Sequence, residues 1–233
     1  MSLVMAIANR NGIVISADKR LTCRSVDPNT GLVKAIKYFD TEQKVFPTKS
    51  KHAIAFTGES MLSNGQFTSE AIKEAIRKIE NKNLNVYDEL YFIKNELSAI
   101  SGGEDTNLFA TGIENNINKM YVTSLKTDGI TPVLNSFFCS GIICVAVNLY
   151  HTFELSMENW SIENIIDYLK FLNATTVKDM SFCEIDKTVS EKCDFVIITK
   201  TNIQFAQAHD DKRILHNDNC FYLPKNIHNL LHR

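Results

Sequence analysis

The sequence predicts a single mixed α and β domain, and three features predict it. Strand-like runs rich in β-branched residues open the chain, recur in its middle and return near its end. Stretches of helical periodicity interrupt them in pairs, a pattern that suits sheets covered by helices. The 233 residues, 44% of them hydrophobic, can bury one large core, and neither a repeat nor a low-complexity linker divides them, so the domain is read as spanning residues 1–233.

Taken in order, Leu3–Ala8 and Ile13–Ala17 are strands separated by the turn-forming Asn9, Arg10, Asn11 and Gly12, and together they read as a hairpin. The second strand ends in Asp18, followed by Lys19, Arg20 and Thr22, and pairing of the two strands brings Asp18 back toward Ser2. Asp27-Pro28-Asn29-Thr30-Gly31 is a turn. Lys44 opens the strand Val45-Phe46-Pro47, and His52–Thr57 forms the next strand, ending at the turn Gly58-Glu59-Ser60. Ile72, Ala75, Ile76 and Ile79 make one helical face, with Glu74 and Lys78 spaced as an ion pair on the other. Val86, Leu90, Ile93 and Leu97 make a second stripe, which Gly102-Gly103 stop. A third helix is expected from Ile142 to Phe153. A fourth, with Ser161 as N-cap, presents Ile162, Ile165, Ile166, Leu169 and Leu172.

Composition excludes several classes. A net charge of −2 with both signs interspersed leaves no basic face for nucleic acid. The six cysteines form no C-x-x-C pair and lie largely in apolar runs, as reduced core thiols do. His228 and His232 share the spacing of a helix face but lack a third ligand nearby, so no metal is expected. No run approaches the roughly eighteen apolar residues of a membrane span, and the opening apolar stretch is too short for a secretory segment. The expected location is the cytoplasm, with no membrane partner.

Ser2 carries the distinctive chemistry. If Met1 is removed, one residue presents a hydroxyl and a free α-amine, a nucleophile and a general base held together by covalent geometry. A retained Met1 ties up that amine in a peptide bond.

Ser2, the segment GIVISADKRLT, Lys44-Val45 and the AFTGES turn resemble, in that order, the N-terminal half of a proteasome β-type subunit of the N-terminal-nucleophile hydrolase superfamily. Asp18 lies sixteen positions after Ser2 and Lys44 fourteen before Gly58, as the family's catalytic set is spaced. Leu108–Gly112 with Lys119–Thr123 resembles the family's central hairpin, Phe137–Gly141 the strand before its third helix, and Asp194–Lys200 with Thr201–Ile203 its last strand pair. The likeness covers most of residues 2 to 207 and is specific between Ser2 and Ser60. Three departures stand out: the segment from Thr22 to Lys44 is longer than usual, Glu59 stands where a second glycine is usual, and the supporting Asp-x-x-Ser-Gly-Gly element is replaced by Asp186-Lys-Thr-Val-Ser190-Glu-Lys192.

The resemblance implies an α+β fold, a four-layer αββα sandwich of two antiparallel sheets covered by helices. It implies Ser2 as nucleophile, Asp18 and Lys44 as the charged pair that tunes its amine, the Gly58 N–H as oxyanion donor and Ser140 as a support. Leu21, Phe46 and Phe56 would contact the substrate, so a hydrophobic residue before the cut is expected in a peptide or amide substrate. No cofactor is implied, and a homo-oligomer is, with a ring as one form. Two rival functions stay open: a non-catalytic subunit of the same fold, and an amidase or peptide ligase acting on a small or specific substrate.

Overall fold

The computed structural model describes residues 2–141, 157–182, 189–207, 210–216 and 219–221. The opening hairpin forms as β1 (Leu3–Asn9) and β2 (Gly12–Asp18), joined in register from Val4 opposite Ala17 to Asn9 opposite Gly12. Both strands are buried along their whole length, which explains why they read as continuous apolar runs and not as alternating ones. Leu3, Met5 and Ile7 point to one apolar cluster, while Val4, Ala6 and Ala8 point to another on the opposite face.

The chain continues through β3 (Arg20–Val26), β4 (Val33–Asp40), β5 (Val45–Pro47) and β6 (Ala53–Gly58). Helices α1 (Thr68–Ile79) and α2 (Val86–Ser98) follow, then β7 (Thr106–Glu114), β8 (Ile117–Ser124), β9 (Ile130–Pro132) and β10 (Phe137–Gly141). The third described helix, α3 (Ile162–Phe182), precedes β11 (Cys193–Ile198), β12 (Ile203–Gln207), β13 (Asp210–His216) and β14 (Asn219–Phe221).

These elements make a mixed α+β fold with three antiparallel sheets. The largest has the order β10-β1-β2-β11-β12-β13-β14, a second has β5-β6-β7-β8-β9, and β3 pairs only with β4. The expectation of two sheets is therefore corrected. The long Thr22–Lys44 segment, read as a turn within a loop, is itself a hairpin that pairs from Arg20 opposite Asp40 outward.

Three apolar clusters hold the layers. One joins β1, β2 and β11 to Ile165, Ile166, Leu169 and Leu172 of α3. A second joins Ile54, Phe56, Leu108 and Ala110 to the inner faces of α1 and α2. The third takes the remaining faces of both large sheets, with Ile13, Ile15, Ala17 and Val196 from one and Val45, Ala53, Ala55 and Phe109 from the other. Each fully buried Ile or Phe in these clusters contributes about 1.5–3 kcal/mol relative to an exposed one.

Local readings fare unevenly. Ser161 accepts the Asn164 N–H at 3.2 Å, as an N-cap does. The Glu74–Lys78 pair does not form: Lys78 instead meets Glu96 on the neighbouring α2, and Glu74 accepts from Gln66 at 3.0 Å. The turn of α2 closes at Ala99, whose N–H reaches Asn95 O, so the helix stops before Gly102 is reached. Two strands follow what reads as the last pair. Cys193 is buried and Cys139 half-buried, but Cys23 is exposed on the β3–β4 hairpin. The expected helix Ile142–Phe153 lies outside the described residues, as do Asp186, His228 and His232. Among the described residues no helix is long and apolar enough to cross a membrane.

Candidate active site

The end of β2 meets the start of β1 and the start of β5 at one buried point. Asp18 is completely buried and its carboxylate is saturated: Oδ1 accepts the Leu3 N–H at 2.8 Å and Oδ2 the Arg20 N–H at 2.9 Å. Lys44, also completely buried, donates to both carboxylate oxygens at 3.1 Å and to the Arg20 carbonyl at 2.6 Å. An ammonium has three donors, and these three acceptors engage all of them. Lys44 therefore acts on its surroundings as a fixed charge, while the Asp18 bond to Leu3 anchors the backbone next to Ser2.

Ser2 is 1% exposed, and its Oγ has no hydrogen-bond partner among the described residues. It lines a cavity of about 240 Å³ together with Thr57, Gly58, Glu59, Asp105, Asn107 and Gly141. An unpaired buried hydroxyl is unfavourable in a finished core, and although the Ser16 and Thr22 hydroxyls share this state among the described residues, of the three only Ser2 lines this cavity. Gly58 stands on the same wall at φ +106°, where a Cβ would lie 1.8 Å from the Asp105 carbonyl. Ser2, Asp18, Lys44 and Gly58 are thus brought together by the fold.

Other predicted residues are placed differently. Ser140 lies on β10 opposite Val4 and shares a 2.9 Å hydrogen bond with the Thr57 hydroxyl, so it touches the site through Thr57 and does not line the Ser2 cavity. Leu21 lines an adjoining cavity of about 320 Å³ with Arg20, Thr22, Cys23, Gly58, Glu59, Ser60, Met61 and Phe67. Phe46 and Phe56 line neither cavity. They are 3% and 1% exposed, stack with ring centres 6.4 Å apart, and belong to the core beneath α1 and α2. Ser190 is buried, but its hydroxyl donates to Lys192 O at 2.8 Å and accepts the Lys19 N–H at 3.2 Å.

Gly141, which follows the expected support Ser140, contacts Ser2 directly through the backbone. It sits opposite Leu3 at φ +99°, and a Cβ there would lie 1.7 Å from the Ser2 carbonyl. Gly141→Ala is expected to push the Ser2 backbone out of place and to cost about 2 kcal/mol or more of stability through backbone strain. Chemical denaturation checks the stability, and loss of Ser2 reactivity in the folded variant checks the displacement.

A second, partly buried ion pair joins the residue after Asp18 to β11. Lys19 follows Asp18 on the chain and donates to both oxygens of Asp194 at 2.9 Å. Burial pushes the Asp194 carboxyl up to about 6 from an ordinary 3.8, against the pull of Lys19 and with a smaller push from Asp18. The folded state thus holds this proton more tightly than the unfolded chain does. The stability so contributed is complete below pH 3.8, declines as the pH rises and is gone above about 6. Between roughly pH 4 and 7, Asp194→Asn is expected to gain about 3 kcal/mol on the wild type, as a shift of two units implies. Denaturation curves of both proteins across that range check it, and a constant difference would contradict it.

No protein-family model matches the chain, and no curated protein matches it. The structure is similar to that of an Anbu (Gly-1) mutant from Hyphomicrobium sp. strain MC1, with a TM-score of 0.64 and 12% identity over 100% of this chain and 92% of that one. That likeness is one of fold, and the fold is proteasome-like. Among the described residues no group of three or more His, Cys, Asp or Glu side chains is arranged to hold a metal ion.

Proposed function

We propose that this protein is an N-terminal-nucleophile hydrolase of peptide or amide bonds, built as one domain in a four-layer αββα arrangement, with Ser2 as nucleophile once Met1 is removed. The observation that carries the reading is the unpartnered, buried Ser2 hydroxyl in a cavity shared with Gly58, next to the buried Lys44–Asp18 pair. In this reading the α-amine of Ser2, ordinarily near pKa 8, is pushed lower by the Lys44 charge and takes the hydroxyl proton. Ser2 Oγ attacks the substrate carbonyl, and the oxyanion faces the Gly58 N–H, a kind of contact worth about 3 kcal/mol. The proton passes to the leaving amine as the C–N bond breaks, and water then hydrolyses the Ser2 ester. No cofactor enters these steps. The proposed location is cytoplasmic and the proposed assembly homo-oligomeric, both by analogy of fold.

The test is the intact mass of the natural protein together with turnover of fluorogenic peptides and small amides. A mass lacking Met1 with peptide turnover supports the reading; Met1-free protein that cleaves only small amides moves it to the amidase alternative. One observation favours a non-catalytic subunit instead: Ser190 spends its hydrogen bonds on Lys192 and Lys19 and gives none to Ser2. That alternative requires no turnover of either substrate.

A further inference from the structure

The walls around Ser2 carry an unbalanced charge. Glu59 and Asp105 both line the Ser2 cavity, and among the described residues no cationic side chain does. Asp105 has a surface partner in Lys126 at 3.6 Å, with both side chains at least half exposed, a pairing that water and salt weaken. Glu59 is exposed, and its backbone bonds to Asp105 and Thr68, while its carboxylate has no ion-pair partner among the described residues. Arg20, the one cation among the described residues of the adjoining cavity, is clamped by Asp40 through two 2.7 Å bonds and so offers little to offset Glu59.

Glu59, like Gly58, lines both cavities. A chain whose carbonyl is held between Ser2 Oγ and Gly58 therefore passes the Glu59 carboxylate whichever cavity its flanking side chains enter. Phe46 and Phe56 belong to the core and line neither cavity, so the apolar lining of the adjoining cavity comes from Leu21, Met61 and Phe67, while the described lining of the Ser2 cavity holds no large apolar side chain.

We propose that the site selects amide substrates carrying a cationic side chain, lysine or arginine, beside the scissile bond, with Glu59 as the specificity-determining residue. This rests on Ser2 being the nucleophile. The attraction is that of a partly exposed carboxylate: modest in size, weakened by salt, and acting on kcat/KM more than on the chemistry at Ser2.

The experiment uses Met1-free protein and peptide pairs that differ only in lysine against norleucine at each of the two positions flanking the cut. At low salt the wild type is expected to favour lysine at one of these positions by about tenfold in kcat/KM, a factor equal to 1.4 kcal/mol. Glu59→Gln should bring that ratio near one, and Glu59→Lys should reverse it in favour of a glutamate peptide. Raising the salt to 0.5 M should shrink the wild-type ratio. Turnover of the norleucine peptides with Ser2 acylated, but without a lysine preference, overturns this inference alone, as does a preference that survives Glu59→Gln. Absence of both turnover and Ser2 acylation overturns the nucleophile with it.

Discussion

Ser2→Ala, in protein freed of Met1, is expected to lower kcat for amide hydrolysis by roughly four to six orders of magnitude, the loss seen when the nucleophile of a covalent mechanism is removed. Alanine retains the α-amine and the backbone that Asp18 anchors through Leu3. It lacks only an oxygen that has no partner among the described residues, so the deletion leaves no donor or acceptor stranded. Stability should therefore stay within about 1 kcal/mol of the wild type, the range for changes that touch no special feature. Full turnover in the variant would remove Ser2 from the mechanism.

Lys44 gives the second large effect, and here burial changes what a lysine at the start of a strand would suggest. An exposed edge lysine could be replaced at little cost. Lys44 is 0% exposed and holds Asp18, so Lys44→Met leaves a carboxylate buried without its counter-charge and is expected to destabilise the fold by about 3–5 kcal/mol. Adding Asp18→Asn removes the stranded charge and should recover most of that loss. Activity should not follow, because the amine has lost the cation that lowers its pKa; both variants should stay about 10²–10⁴-fold down, the scale of general base catalysis. A double-mutant cycle in stability, with kcat measured on each folded variant, separates the two roles. Recovery of rate along with stability would mean that Lys44 serves the fold alone.

How much of this could be read from residues alone follows from the range of the interactions. The β1–β2 hairpin was legible because two apolar runs flank a turn-forming stretch, and its pairing returns Asp18 to the chain start. Lys44 was legible only through its spacing to Gly58, since a lone lysine carries no sign of burial. Phe46 and Phe56 illustrate the limit. Alternation along β5 and β6 says that residues face opposite ways, but which face meets α1 and α2 is decided by packing of distant segments. The same holds for Lys78, whose partner Glu96 becomes near only when the helices pack, and for Asp194, placed beside Lys19 by the β2–β11 pairing. Gly141 needed the register of β10 on β1 before its contact with Ser2 could be seen.

The central claim, that the hydroxyl and amine of Ser2 act together, is tested most directly by an electrophile that captures both groups in one ring, such as a peptide epoxyketone. After incubation with Met1-free protein, digestion and mass mapping should find the adduct on Ser2 and on no other residue, and none in Ser2→Ala. Met1-free, folded protein that stays unmodified at Ser2, or that is modified equally after Ser2→Ala, would contradict the claim.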